Sequence, residues 1–193
     1  FAQAARKAHI GRISLSSTGY YATPGIEYDR AAHRGRPFYY FAYGAAVSEV
    51  AIDTLTGEHK VLAVDILHDV GRSLNPAIDR GQIEGGFLQG QGWLTTEELV
   101  WDAKGRLLTH SPATYKIPTA SDRPRRLRID LWDGENVEPT INRSKAVGEP
   151  PFMLAISVFS ALNRAIAAAR GTPGIPALNA PATPEAILKA LKP

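Results

Sequence analysis

Carboxylates and amides carry most of the chemical capacity of this 193-residue chain, because it has no cysteine and its five histidines are dispersed. His9, His33, His59, His68 and His110 include no i, i+4 pair on one helix and no H-E-x-x-H motif, so a histidine metal site lacks its ligands. There is no G-x-S-x-G elbow and no phosphate-cradling loop at a strand–helix junction, and Gly11, Gly19 and Gly25 do not have dinucleotide spacing. Without thiolates the chain forms no disulfide and holds no thiolate-ligated iron–sulfur cluster. What remains is polar groups on unusual backbone. Glu149 follows Gly148, precedes Pro150-Pro151 and stands ahead of an apolar helical pattern over Phe152–Arg170. Proline suits a first helical turn, where its missing N–H has no intrahelical partner. Glycine at 148 opens conformations that other residues resist. The carboxylate is therefore expected in a rigid turn at a helix N-terminus, either as a cap complementing the helix dipole or as a general base held in one place.

The second candidate group is Gln82, with Gln89, Gln91 and Glu84 nearby. They lie on a helix expected over Ala77–Leu94, started by Asn75 as N-cap and Pro76 at the first helical position. That helix carries Gly81, Gly85, Gly86, Gly90 and Gly92. Each interior glycine costs about 0.5–1 kcal/mol relative to alanine, so five need a reason. Close helix packing is one, and approach to a ligand is the other. A glutamine amide offers two donors and an acceptor, which suits a neutral, oxygen-rich cofactor, whereas a solvent-facing glutamine needs no ligand.

Other elements must bring these two segments together. An opening helix ends at Gly11, and Arg12–Ser17 alternates like a strand. Residues 18–37 read as a long connection. Phe38–Asp53 and His59–Val70 read as a long antiparallel hairpin around the Thr54–Gly57 turn. Thr95–Asp102 and Leu107–His110 read as a second hairpin, with Glu97 and Glu98 on its surface. Arg126–Trp132 alternates as a further strand, its arginines toward solvent. Residues 171–181 form a Pro/Gly-rich arm, and a short helix runs from Thr183 to Leu191. The fold class expected is α+β: long antiparallel hairpins packed with a glycine-rich helix and a C-terminal helix.

Apolar content of 44% and charged content of 21% are ordinary for a globular protein. A net charge of +3 with scattered basic residues argues against a nucleic-acid surface, as the Arg123–Arg128 run lacks breadth and aromatics. No apolar run is read as membrane-spanning, and the expectation is a soluble, cytoplasmic protein. The chain opens at Phe1, and its single methionine is Met153. It is expected to be the C-terminal part of a longer polypeptide.

Five separated motifs point one way. Tyr39–Gly44 (Y-Y-F-A-Y-G), Asp69–Gly86 (D-V-G-R-S-L-N-P-A-I-D-R-G-Q-I-E-G-G), Thr95–Leu99 (T-T-E-E-L), Thr114–Pro118 (T-Y-K-I-P) and Ser144–Pro151 (S-K-A-V-G-E-P-P) occur in that order. In this order they resemble the xanthine dehydrogenase family of molybdenum hydroxylases, and specifically the C-terminal part of the bacterial molybdopterin-binding large subunit. The resemblance runs from about Arg12 to the end of the chain, so residues 1–193 would form the second half of the molybdenum-binding domain, with 171–193 as its arm and terminal helix.

The resemblance implies roles. The glutamate of G-E-P-P, here Glu149, is the family's base: it takes a proton from a molybdenum-bound hydroxyl that attacks an electron-poor C–H carbon, while hydride passes to a sulfido ligand. The glutamine of G-Q-I-E-G, here Gln82, would hydrogen-bond the metal centre or its pterin. The pterin dithiolene holds the metal, so the protein supplies surrounding contacts and no direct metal ligand. In the assembled enzyme, burial beside an anionic cofactor is expected to outweigh the helix N-terminus and raise the Glu149 pKa. The implied reaction is oxidation of hypoxanthine or xanthine to urate, with electrons leaving through 2Fe–2S clusters and FAD, on a partner subunit or domain, to NAD. The remaining part of the large subunit would complete the cofactor site, and a symmetric heteromer is expected. The alternatives are a structural or assembly fragment inactive alone, and an aldehyde or N-heterocycle oxidase of the same family.

Overall fold

A computed structural model describes residues 1–171, 174 and 176–192. Its contacts separate two units, Phe1–Tyr39 and Tyr40–Pro193.

The first unit contains helix α1 (Ala2–Ile10) and a small antiparallel pair, β1 (Glu27–Asp29) with β2 (Arg34–Arg36). Neither α1 nor the pair buries a residue. The strand expected over Arg12–Ser17 does not form. Ile13 and Leu15 stay exposed, and alternation without a partner strand leaves the backbone no ladder to join. The connection expected over 18–37 instead holds the β1–β2 pair. Gly35 is required there: at φ +140°, an added Cβ would overlap the Glu27 carbonyl oxygen.

The second unit is built on β4 (His59–His68). It pairs antiparallel with β3 (Gly44–Ile52), from Gly44 opposite His68 to Ile52 opposite His59, with a bulge at Glu49/Val50. The expected hairpin is present, but its first strand starts at Gly44 and not at Phe38. On its other edge β4 pairs parallel with β5 (Arg126–Leu131). Parallel neighbours need a long crossover, and helix α2 (Pro76–Thr95) lies within it. The β5 arginines face solvent: Arg126 pairs with Asp65 and Arg128 with Asp130, while Leu127 and Ile129 pack on the core. The second hairpin expected near residue 100 reduces to one bridge, Trp101 with Leu107, around a turn. Leu99, Trp101 and Leu108 are exposed there, so no apolar face extends the pairing.

α2 starts as its sequence requires, with the Asn75 side chain accepting from Ala77 N at 3.2 Å and Ile78 N at 3.3 Å. The pattern after Glu149 begins as a 3-10 turn, Pro150–Ala155, and becomes α3 (Ile156–Arg170). Val158, Leu162 and Ile166, on one face of α3, are fully buried with Ile83 and Phe87 of α2 and Val64 of β4. Burying each such side chain contributes about 1.5–3 kcal/mol. Contrary to expectation, one helical stretch, Pro150–Arg170, is long and apolar enough to cross a membrane by length and composition. Its apolar face serves the core, and Ser157 Oγ bonds Ser48 Oγ of β3 at 2.7 Å. α4 (Pro184–Leu191) closes the unit, N-capped by Thr183. Thr172, Pro173 and Ile175 of the expected arm, and Pro193, lie outside the described residues; Ala182 N ties the arm's end to Leu94 O at 2.8 Å.

Candidate functional site

The S-K-A-V-G-E-P-P segment is fixed before it reaches Glu149. Lys145 N donates to Val70 O at 2.8 Å, and Arg72 N to Arg143 O at 3.0 Å, so the segment lies strand-like along the end of β4. Gly71, at φ +61°, permits this because a Cβ there would overlap the Arg143 carbonyl oxygen. The Lys145 ammonium donates to Asp69 Oδ2 at 2.6 Å and to Phe41 O at 2.9 Å, and lies 5.2 Å from the centre of the Tyr43 ring. Asp69 Oδ1 accepts from Gly71 N at 2.8 Å. Ala146 N donates to the Tyr40 hydroxyl at 2.8 Å. The Y-Y-F-A-Y-G and D-V-G-R motifs, far apart in sequence, thus converge on Lys145 and Ala146. This explains the late start of β3: Tyr40 and Phe41 bond to this segment.

Glu149 then sits at the N-cap of the 3-10 turn with φ −92° and ψ −39°. Its carboxylate is exposed and makes no capping hydrogen bond. The side chain therefore closes no hydrogen-bonded cap on its own turn. Gly148 does not adopt a left-handed φ, so backbone freedom is not its purpose. An added Cβ would lie 3.7 Å from Gln82 Oε1, which puts the Gln82 amide against the residue preceding Glu149. The Gly148 carbonyl in turn lies 3.3 Å from the point a Gly86 Cβ would occupy. Gln82 is exposed, and its neighbours Gly81 and Gly85 have no atom within 4 Å of a would-be Cβ.

The other amides differ. Gln91 is buried and donates from Nε2 to Asp122 O at 3.1 Å, a structural bond. It lines a cavity of about 230 Å³ together with His59, Thr95, Ser121 and Asp122. Burial holds the His59 imidazole below its usual pKa, against the opposing pull of Asp122. Glu84 pairs with Arg123. Gln89 is exposed. Glu97, expected on the surface, is half-buried and accepts from the Tyr115 hydroxyl at 2.6 Å, while Thr96 Oγ1 bonds Lys116 O at 2.9 Å. The T-T-E-E-L and T-Y-K-I-P motifs therefore lock onto each other at the end of α2. The pairing was missed because a glutamate beside polar threonines gives no sequence sign of a tyrosine 18 residues away. Among the described residues no three His, Asp or Glu side chains gather where a metal ion would be held.

The family model described as "Molybdopterin cofactor-binding domain" matches residues 1–124. A xanthine dehydrogenase/oxidase from Felis catus is 51% identical over 189 residues, covering 95% of this chain and 14% of the relative. A xanthine dehydrogenase from Oryza sativa subsp. japonica is 48% identical over 97% of the chain, again 14% of the relative. In structure, the aldehyde oxidoreductase from Desulfovibrio gigas superposes with a TM-score of 0.73 at 26% identity, covering 97% of this chain and 20% of that one. The chain thus spans about one-seventh of the length of these curated relatives.

Proposed function

Because the chain belongs to the molybdopterin cofactor-binding domain family, we propose that it supplies the base-bearing part of a molybdenum hydroxylase active site, with Glu149 as general base and Gln82 as a cofactor contact. One observation carries this reading. The Gln82 amide lies against the Gly148–Glu149 turn, and the Glu149 carboxylate is exposed and spends no hydrogen bond on capping its own turn. The residues suit the group. Gln82 brings two donors and an acceptor, and the bare Gly81 and Gly85 positions beside it leave a backbone surface that a flat cofactor would approach. The metal would be held by the pterin, which requires no ligand set from this chain.

Bound there, the molybdenum cofactor would supply the oxygen that attacks the substrate carbon and take up the two electrons released. The chain's own work is narrower. The Glu149 carboxylate accepts the proton that the attacking oxygen gives up. The proline pair after it and the anchored segment before it hold that carboxylate in place. Gln82 fixes the cofactor edge by hydrogen bonding. The substrate class favoured is a purine, hypoxanthine or xanthine oxidised to urate, because the relatives with about half their aligned residues identical are named xanthine dehydrogenases. Electrons would leave through 2Fe–2S clusters and FAD, borne on a partner subunit or domain, to NAD. The rest of the large subunit would complete the cofactor site, within a symmetric, cytoplasmic heteromer.

The test is Glu149→Gln in the assembled enzyme with its molybdenum content measured. Turnover is expected to fall by about 10²–10⁴-fold, the usual worth of a positioned base. Substantial turnover at full metal content overturns the assignment. The substrate class is tested by comparing kcat/KM for xanthine with that for an aldehyde.

A further inference from the structure

The ion pairs of this chain are not alike. Arg72–Glu135, Arg126–Asp65 and Arg128–Asp130 are at least two-fifths exposed on both sides, and exposed pairs contribute little. Lys145–Asp69 is different, with side chains only 6% and 16% exposed. Desolvating such a pair is costly, and the cost is offset only where the remaining donors and acceptors are also used. Here they are: the ammonium has Asp69 Oδ2, the Phe41 carbonyl and the Tyr43 ring, and the second Asp69 oxygen has Gly71 N. Apolar residues of similar volume would often fill such a space at no loss of stability. What the charged pair adds is direction, since it admits one arrangement of the strand-end loop and the segment crossing it.

We propose that Lys145 is a positioning residue for Glu149: clamped by Asp69, Phe41 and Tyr43, it fixes the backbone from which the Glu149 turn departs, and so sets where that carboxylate stands. Three observations support the direction of control. The Lys145 side chain and amide are bonded to the strand-end stretch at Asp69 and Val70, and the Ala146 amide to a separate stretch at Tyr40. Glu149 follows four residues later with no capping bond of its own to hold it. The carbonyl of Gly148 lies against α2 at Gly86, so the Glu149 turn rests between the anchored 145–146 backbone on one side and the helix on the other. Displacing a reacting group by about 1 Å is enough to cost on the order of 100-fold in rate.

The catalytic part of this inference rests on Glu149 being the base; the anchoring part does not, and the experiment separates them. In the assembled holoenzyme, Lys145→Met is followed by amide hydrogen exchange of peptides covering 143–152, with α3 peptides as reference. Exchange is expected to rise about 10-fold in 143–152 and to stay unchanged in α3. kcat is expected to fall about 10–100-fold at full metal content, with KM within about threefold. Unchanged exchange in 143–152, or an equal rise in α3, overturns the proposal. A local rise in exchange with kcat intact also overturns it, provided Glu149→Gln abolishes turnover. If Glu149→Gln retains turnover, the base assignment fails, and the exchange result alone decides the anchoring. Should Lys145→Met not fold, Asp69→Asn removes the negative partner of Lys145 and keeps its shape. A local rise of about threefold supports the proposal and no rise overturns it.

Discussion

The two halves of α2 use the same residue for opposite purposes. In the C-terminal half, Gly86, Gly90 and Gly92 lie under other parts of the chain. A Cβ at Gly90 would overlap the Phe152 carbonyl oxygen, and one at Gly92 would overlap Glu97 and Pro118. These glycines let the 148–155 backbone and the T-Y-K-I-P segment approach the helix axis. In the N-terminal half, Gly81 and Gly85 meet nothing within 4 Å, and Gln82 stands between them. Packing accounts for the first three glycines and leaves the other two unexplained. A glycine-rich helix is thus not one feature. One half is a spacer for internal packing, and the other is a bare surface beside the candidate base.

The largest effect that would sharpen this contrast is a change confined to the bare side. Glu149→Gln should lower turnover by about 10²–10⁴-fold while the denaturant midpoint barely moves, since exposed changes usually stay within about 0.5 kcal/mol. A large loss of stability would mean that the carboxylate is structural. Next comes Gly90→Ala. Overpacking against Phe152 and Ala155 should destabilise by about 1–3 kcal/mol in urea unfolding, despite alanine's better helix propensity. A neutral result would break the comparison. A third test uses the two ends of β4. Burial holds both His59 and His68 below the usual imidazole value, partly opposed by Asp122 at one and Asp69 at the other. The unfolded chain then binds more protons than the folded one below the ordinary histidine pKa of 6.5. Stability should therefore be full above that value and fall as pH drops through it, levelling only below the depressed folded values. Unfolding midpoints across that range should show this slope, and His59→Gln or His68→Gln should each flatten it. The smallest effect is Gly85→Ala, which should stabilise by about 0.5–1 kcal/mol, having open space and an ordinary helical backbone. If the bare half faces the cofactor, that stabilised variant should lose activity as well.

Much of this was legible beforehand because it depends on local chemistry. Asn75-Pro76 starts α2 through a side chain reaching two residues along, and the β3–β4 alternation and the apolar spacing of α3 follow from pleat and helical period. The parallel docking of β5 was not legible, because alternation reports a strand's faces and not the direction of its neighbour. Nor was the second hairpin's failure, since pairing needs an apolar face to cover and none is offered there.

Residue order alone fixed which side chains were available for chemistry: no thiolate, no histidine ligand set, one acid ahead of a proline pair and three amides among glycines. Residue types and short spacings are properties of the chain alone. It took the folded chain to bring Gln82 beside Gly148, to join Glu97 to Tyr115, and to bury Lys145 against Asp69. Each of these depends on desolvation and contact between residues far apart in sequence, and neither exists until the sheet and α2 have assembled.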